Sequence, residues 1–189
     1  LKANSSASSA DTRIYPSLGW SRENEAKGST LMAGISYSGE YDYQSIGANI
    51  GFAQKTGNKM GEITAKLQAF IDQVSMIAPI ELRDDPAIES SGSNGRNTFA
   101  LSLSYSQIIN KNFQLEVMTD AVQQTGYLSL PFHRVYFTDG SLHQEALPDK
   151  RFKLPLGLRA NYFFGDKLIV KAYYRYYTDD WGLKSNTIN

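Results

Sequence analysis

The sequence predicts an all-β fold, an antiparallel transmembrane β-barrel with about eight or nine strands visible, part of a larger barrel. Three observations point there. Apolar and polar residues alternate with period two over long segments, no apolar run approaches the length of a membrane helix, and the connections alternate between short turns and longer loops. One face of a barrel strand meets lipid and the other a polar lumen, so only every second residue must be apolar. The composition fits that arrangement, at 41% hydrophobic and 20% charged with a negative mean hydropathy.

A first strand is expected over Thr12 to Trp20. In the second, Leu31, Ala33, Ile35 and Tyr37 alternate with Thr30, Gly34 and Ser36, and in the third Ile46, Ala48, Ile50 and Phe52 alternate with Gly47, Asn49 and Gly51. After the turn Thr56, Gly57, Asn58, Lys59 comes a strand in which Ile63, Ala65, Leu67, Ala69 and Ile71 oppose Glu62, Thr64, Lys66, Gln68, Phe70 and Asp72. Phe99, Leu101, Leu103 and Tyr105 then oppose Thr98, Ala100, Ser102, Ser104 and Ser106. A turn at Asn110, Lys111, Asn112 leads to Phe113, Leu115 and Val117, with Gln114, Glu116, Met118 and Asp120 on the other face.

The clearest strand runs from Arg151 to Phe163, where Phe152, Leu154, Leu156, Leu158, Ala160 and Tyr162 form one wholly apolar face. At about 3.3 Å per residue and a tilt of about 45°, such a length crosses a bilayer. The turn Phe164, Gly165, Asp166 returns the chain into Leu168, Val170, Ala172, Tyr174 and Tyr176, and the residues near Ser185 to Ile188 begin a further strand. Pro16 and Pro155 each remove a ladder donor, which a strand tolerates at a bulge or near its end. The alternation explains neither.

Short or modest links near residues 21–28, 56–60, 109–112 and 164–166 interleave with segments near 39–43, 76–95, 125–150 and 178–185. Barrels sort their connections this way, into short periplasmic turns and longer outer loops. Residues 1–189 read as one domain. Leu1 follows no methionine and no signal segment, and Asn189 falls within a strand-like stretch, so a fragment or gapped portion of a longer chain is expected.

Little in the sequence suggests a reaction centre. Nineteen basic and nineteen acidic residues cancel, which disfavours nucleic acid as a partner, and the absence of cysteine excludes thiol chemistry and disulfides. His133 and His143, the two histidines, are too few for a triad or a three-histidine metal site with other ligands in register. The pairs Asp84 with Asp85 and Asp179 with Asp180 lack calcium-loop spacing and read as solvated loop residues. No catalytic residue, cofactor ligand or metal site is therefore expected.

The lumen-facing charges are expected to be Glu62, Lys66, Glu116, Asp120, Lys153, Arg159, Lys171 and Arg175, either fixing the interior or lining a charge-selective path. Glu116 or Asp120 is expected to approach Lys153 or Arg159. Leu101, Leu103, Leu154, Leu156, Leu158 and Val170 are expected to face lipid. Tyr174, Tyr176 and Trp181 read as interfacial aromatics, and the 12% aromatic content suits such a girdle.

The strings Phe132-His133-Arg134-Val135-Tyr136-Phe137, Leu147-Pro148-Asp149-Lys150-Arg151 and Tyr173 through Gly182 resemble a family of uncharacterised outer-membrane proteins known as domain of unknown function 3570. Tyr41 to Gln44 and Glu81 to Arg83 give looser support. The resemblance implies an outer-membrane barrel with more strands than this chain supplies, and it implies no activity. Residues and resemblance together lead to an expectation of a bacterial outer-membrane barrel whose partner is the lipid bilayer, a porin-like channel or structural barrel without catalytic activity. The alternatives are a scaffold barrel that holds a lipoprotein or redox partner in an envelope complex and, more weakly, a barrel hydrolase.

Overall fold

The computed structural model describes residues 12–84, 92–165 and 167–189. Alternating, β-branched and aromatic stretches make long strands. They are β1 (Ser17–Asn24), β2 (Ser29–Gly39), β3 (Tyr43–Lys55), β4 (Gly61–Ser75), β5 (Ser93–Asn110), β6 (Phe113–Gly126), β7 (Arg134–Tyr136), β8 (Leu142–Gln144), β9 (Lys150–Phe164), β10 (Leu168–Asp179) and β11 (Lys184–Ile188). Nine of them form one antiparallel sheet in the order β1-β2-β3-β4-β5-β6-β9-β10-β11, and β7 pairs with β8 as a separate hairpin. The described residues include no α-helix, only a 3-10 turn at Ile80–Leu82.

Each strand of the large sheet thus pairs with the strand before it once the β7–β8 hairpin is set aside. The sheet stays open, because β1 and β11 do not pair with one another. The first strand lies later than the alternation suggested, at Ser17–Asn24 rather than Thr12 to Trp20. Pro16, which lacks an N–H, interrupts the regular strand but not the pairing, since its carbonyl accepts from the Tyr37 amide and Ile14 still bridges Gly39, and Arg22 and Asn24 take apolar-face positions opposite Leu31 and Ser29, which hides the period.

Pro155 lies well inside β9, and its missing N–H has a visible consequence. Its pairing with Tyr177 of β10 is kept, whereas the pairing between β6 and β9 skips from Thr119–Leu156 to Val122–Lys153. The proline therefore interrupts the β6 side, where the Thr119 hydroxyl donates to its carbonyl at 3.1 Å.

Register puts all the apolar alternates on one side. One row across the sheet reads Leu31, Phe52, Ala65, Leu103, Thr119, Leu156 and Tyr176, and the row Glu62, Ser106, Glu116, Arg159 and Tyr173 lies on the opposite side. A soluble sheet buries its apolar face; here Leu101, Leu103, Leu154, Leu156, Leu158 and Val170 are 37 to 47% exposed while Ser45 and Asp72 opposite are 8% and 3% exposed. No second layer covers the apolar side among the described residues.

The polar side is the crowded one. At Gly47 a Cβ would meet Phe70 Cδ1 at 2.8 Å, and at Gly157 it would meet Met118 Cγ at 2.6 Å. Glycine at these two positions lets Phe70 and Met118 lie flat across the inner face.

Candidate functional site

The connections separate by end. Residues 25–28, 56–60, 111–112 and 165–167 turn the chain at one end, and 40–42, 76–92, 127–149 and 180–183 connect strands at the other. The described parts of the two longest connections, 76–84 and 127–149, fold together over the polar face. Met76, Ala78 and Leu82 of the first are buried, as are Ser129 and Pro131 of the second, so the only strongly buried apolar cluster away from the strands belongs to this cap among the described residues. Arg134 and Glu81 clasp the two connections, with Nη2 to Oε2 at 2.9 Å and Nε to Oε2 at 3.0 Å. Hydrogen bonding from its own backbone amide and from Arg134 holds the Glu81 carboxyl below the ordinary glutamate value.

Beneath the cap lies a cleft of about 380 Å³, lined by Glu40, Asp42, Tyr43, Val74, Arg96 and the 129–132 segment. Its floor is ordered by an ion pair, Arg96 Nε to Asp72 Oδ2 at 3.0 Å, with the Arg96 guanidinium 5.2 Å from the Tyr43 ring centre. A second paired cluster stands at the same end. Asp179 Oδ2 accepts from Arg151 and from the Tyr177 hydroxyl, while its Oδ1 accepts from the Leu183 amide. Asp179 is thus fully engaged by protein donors. Asp85, its counterpart in the other acidic pair, lies outside the described residues.

Glu62, Lys66, Glu116, Asp120, Lys153, Arg159, Lys171 and Arg175 all fall on the polar face by register. Of these the structure joins Glu116 to Arg159, Nη1 to Oε2 at 2.8 Å. Asp120 and Lys153 are not brought together: Asp120 opposes Ser102, while Lys153 opposes Val122 and Asp179. Among the described residues the six other charges make no ion pair within 4.0 Å.

Tyr174 and Tyr176 lie on the apolar face, opposite Leu158 and Leu156. Trp181 does not join them. Its indole N–H donates to the Lys150 carbonyl at 2.8 Å and its ring carries the Arg151 guanidinium at 4.3 Å, which holds it against the start of β9 on the cap side. The histidines stay within the β7–β8 region, His133 against Glu145 and His143 against Ser141. No group of metal-ligating residues assembles among the described residues.

Sequence reasoning missed Asp72, Arg96, Arg151 and Asp179 as partners, because partners across strands depend on register. A signal did exist. The segments around Tyr43, Glu81, Phe132 to Arg134, Arg151 and Trp181, scattered along the chain, converge on this one end. No curated protein and no solved structure matches the chain. A family match covers residues 3–189, which includes every segment that converges on the cap, and the chain belongs to that family, described as Protein of unknown function (DUF3570).

Proposed function

We propose that this chain forms the wall of a bacterial outer-membrane barrel enclosing a polar, hydrated passage, a porin-like role without catalysis. The observation that carries the reading is the apolar face, continuous over the paired strands and uncovered, set against a polar inner face that the longest connections cap. Burying such a face in lipid recovers the hydrophobic stabilisation that a soluble sheet obtains from a second layer. From Phe152 to Tyr162, rims that pair with Gln123 and Phe113, β9 rises about 33 Å. At barrel tilt that spans about 25 Å, the height of an outer-membrane apolar band.

The charges on the inner face favour a hydrated interior over a filled one. A charge packed in a narrow interior needs a partner, and Glu62, Lys66, Asp120, Lys153, Lys171 and Arg175 on this face have no ion-pair partner within 4.0 Å among the described residues, beside the pairs Glu23–Lys55, Asp72–Arg96, Arg151–Asp179 and Glu116–Arg159. Planar-bilayer recording on the purified protein tests the proposal: discrete conductance steps are expected, and a bilayer that stays silent with folded protein inserted counts against a passage. In that event the cap supports a second reading, a scaffold that holds an envelope partner. Its buried cluster of Met76, Ala78, Leu82 and Pro131 gives it a fixed surface, and co-purification of a stoichiometric envelope protein would favour that role.

A further inference from the structure

Charge is segregated between the connections at the two ends of the sheet. The described residues of the connections at the cap end include eight acidic side chains against two basic, Arg83 and Arg134. The turns at the other end carry Lys27, Lys59, Lys111 and Lys167, one lysine in each of the four, with Glu25 as the acid among their described residues. All four lysines are exposed, and none joins an ion pair among the described residues, whereas nearby Lys55 is tied to Glu23 at 2.7 Å.

Position 59 bears on what these lysines are for. The turn is built by Thr56 and Asn58, with the Lys59 amide donating to the Thr56 carbonyl at 2.8 Å and the Met60 amide to Asn58 Oδ1 at 3.0 Å. It holds Lys59 at φ 59°, the one non-glycine residue with positive φ among those described. Glycine or asparagine is the unstrained choice there, so a lysine is kept at a conformational cost. The same rim carries an aromatic cluster on the apolar side, Phe113 with Tyr162 at 6.3 Å and Tyr162 with Phe164 at 4.5 Å between ring centres. Aromatics at a water–lipid boundary with lysines just beyond them place the ammonium groups at the depth of lipid phosphates.

We propose that Lys27, Lys59, Lys111 and Lys167 form a basic rim that binds the headgroups of anionic phospholipids in one leaflet and so fixes which way the sheet faces. The inference rests on the membrane reading given above. Short turns face the periplasm in such barrels, which puts the rim against the phospholipid leaflet and the acidic cap away from it. Each lysine near an anionic surface strengthens partitioning by about five-fold. Four acting together yield an effect on the order of a hundred-fold or more, and the acidic connections at the other end oppose the reverse orientation.

The test is flotation of the purified protein with vesicles of phosphatidylcholine alone or with one third phosphatidylglycerol, for the native sequence, a quadruple Lys→Gln variant and a quadruple Lys→Arg variant. Expected are stronger partitioning of the native and Arg forms onto the anionic vesicles, loss of that gain in the Gln form, and its collapse for all forms in 1 M salt, where screening acts over about 3 Å. Equal partitioning of native and Gln forms onto both vesicles, with insertion intact, overturns the basic rim and leaves the membrane reading standing. Failure of the native protein to insert into either vesicle overturns both. Circular dichroism of each variant in detergent verifies the β-structure, and Lys→Arg keeps the comparison valid should the Gln form fold poorly.

Discussion

Glu116 on β6 and Arg159 on β9 meet across the polar face at 2.8 Å, yet their side chains remain 25% and 49% exposed. A pair that keeps this much access to water sits in a hydrated environment, where ion pairs contribute little. A double-mutant cycle of Glu116→Gln and Arg159→Gln is expected to give a coupling of about 0.5 kcal/mol, weakened by salt. A measured loss of about 3 to 5 kcal/mol for either single change would point instead to a dry, filled interior.

Arginine at Leu156 tests the opposite face. That residue sits between the rims at Phe152 and Tyr162 and pairs with Thr119 and Tyr176. Leu156→Arg is expected to destabilise the folded protein in lipid by about 2 to 4 kcal/mol, read from urea unfolding in vesicles. Ser102→Arg, placed between Lys66 and Asp120 on the polar face, is expected to change stability by about 0.5 kcal/mol or less. Similar costs at the two positions would contradict the assignment of faces.

Gly126 ends β6 and starts the second capping connection, at φ 101° with its amide bonded to the Asp149 carbonyl. A Cβ there would lie 2.3 Å from the Gly95 carbonyl oxygen, a backbone atom that cannot swing away. Gly126→Ala is therefore expected to cost at least about 1 to 3 kcal/mol and to expose the 127–149 segment to protease. Gly140→Ala, with φ 84° but open space around it, bears the conformational cost alone and is the milder change.

The Glu81–Arg134 clasp gives the cap a pH dependence of definite sign. The carboxyl is held below its ordinary value in the folded protein, so its contribution is complete above the usual glutamate range and is lost as pH falls through the lowered value. Limited proteolysis of the connections is expected to accelerate on acidification through that window. Arg134→Gln should make cleavage faster at neutral pH and remove part of the acid sensitivity, and an unchanged pH profile in that variant would show that the clasp does not govern the cap.

The strands and their faces were legible because side-chain direction repeats every two residues whatever the neighbours are. Leu154, Leu156 and Leu158 declare their common face without reference to β6 or β10. Pairings are different in kind. Whether Glu116 meets Arg159 or Lys153 depends on the offset between β6 and β9, and the long 127–149 connection leaves that offset unspecified until the backbone is placed. The cap was illegible for a further reason: Met76, Ala78, Leu82 and Pro131 follow no period, and they are buried where two connections distant in sequence fold together. The shift of β1 to Ser17–Asn24 likewise follows from Arg22 and Asn24 standing where apolar residues would have marked the strand.

The plain succession of the sheet, in which each strand lies beside its predecessor and even the longest detour returns to the adjacent lane, has a consequence for how such a wall is made. Growth can proceed one hairpin at a time onto a moving edge, since no strand has to thread between two already joined. Every intermediate then ends in the same kind of unfinished border, ready for the next hairpin. A wall built on that rule can widen by duplication of a hairpin without redesign of the strands already laid down, because each added pair hands on to the next the border it consumed.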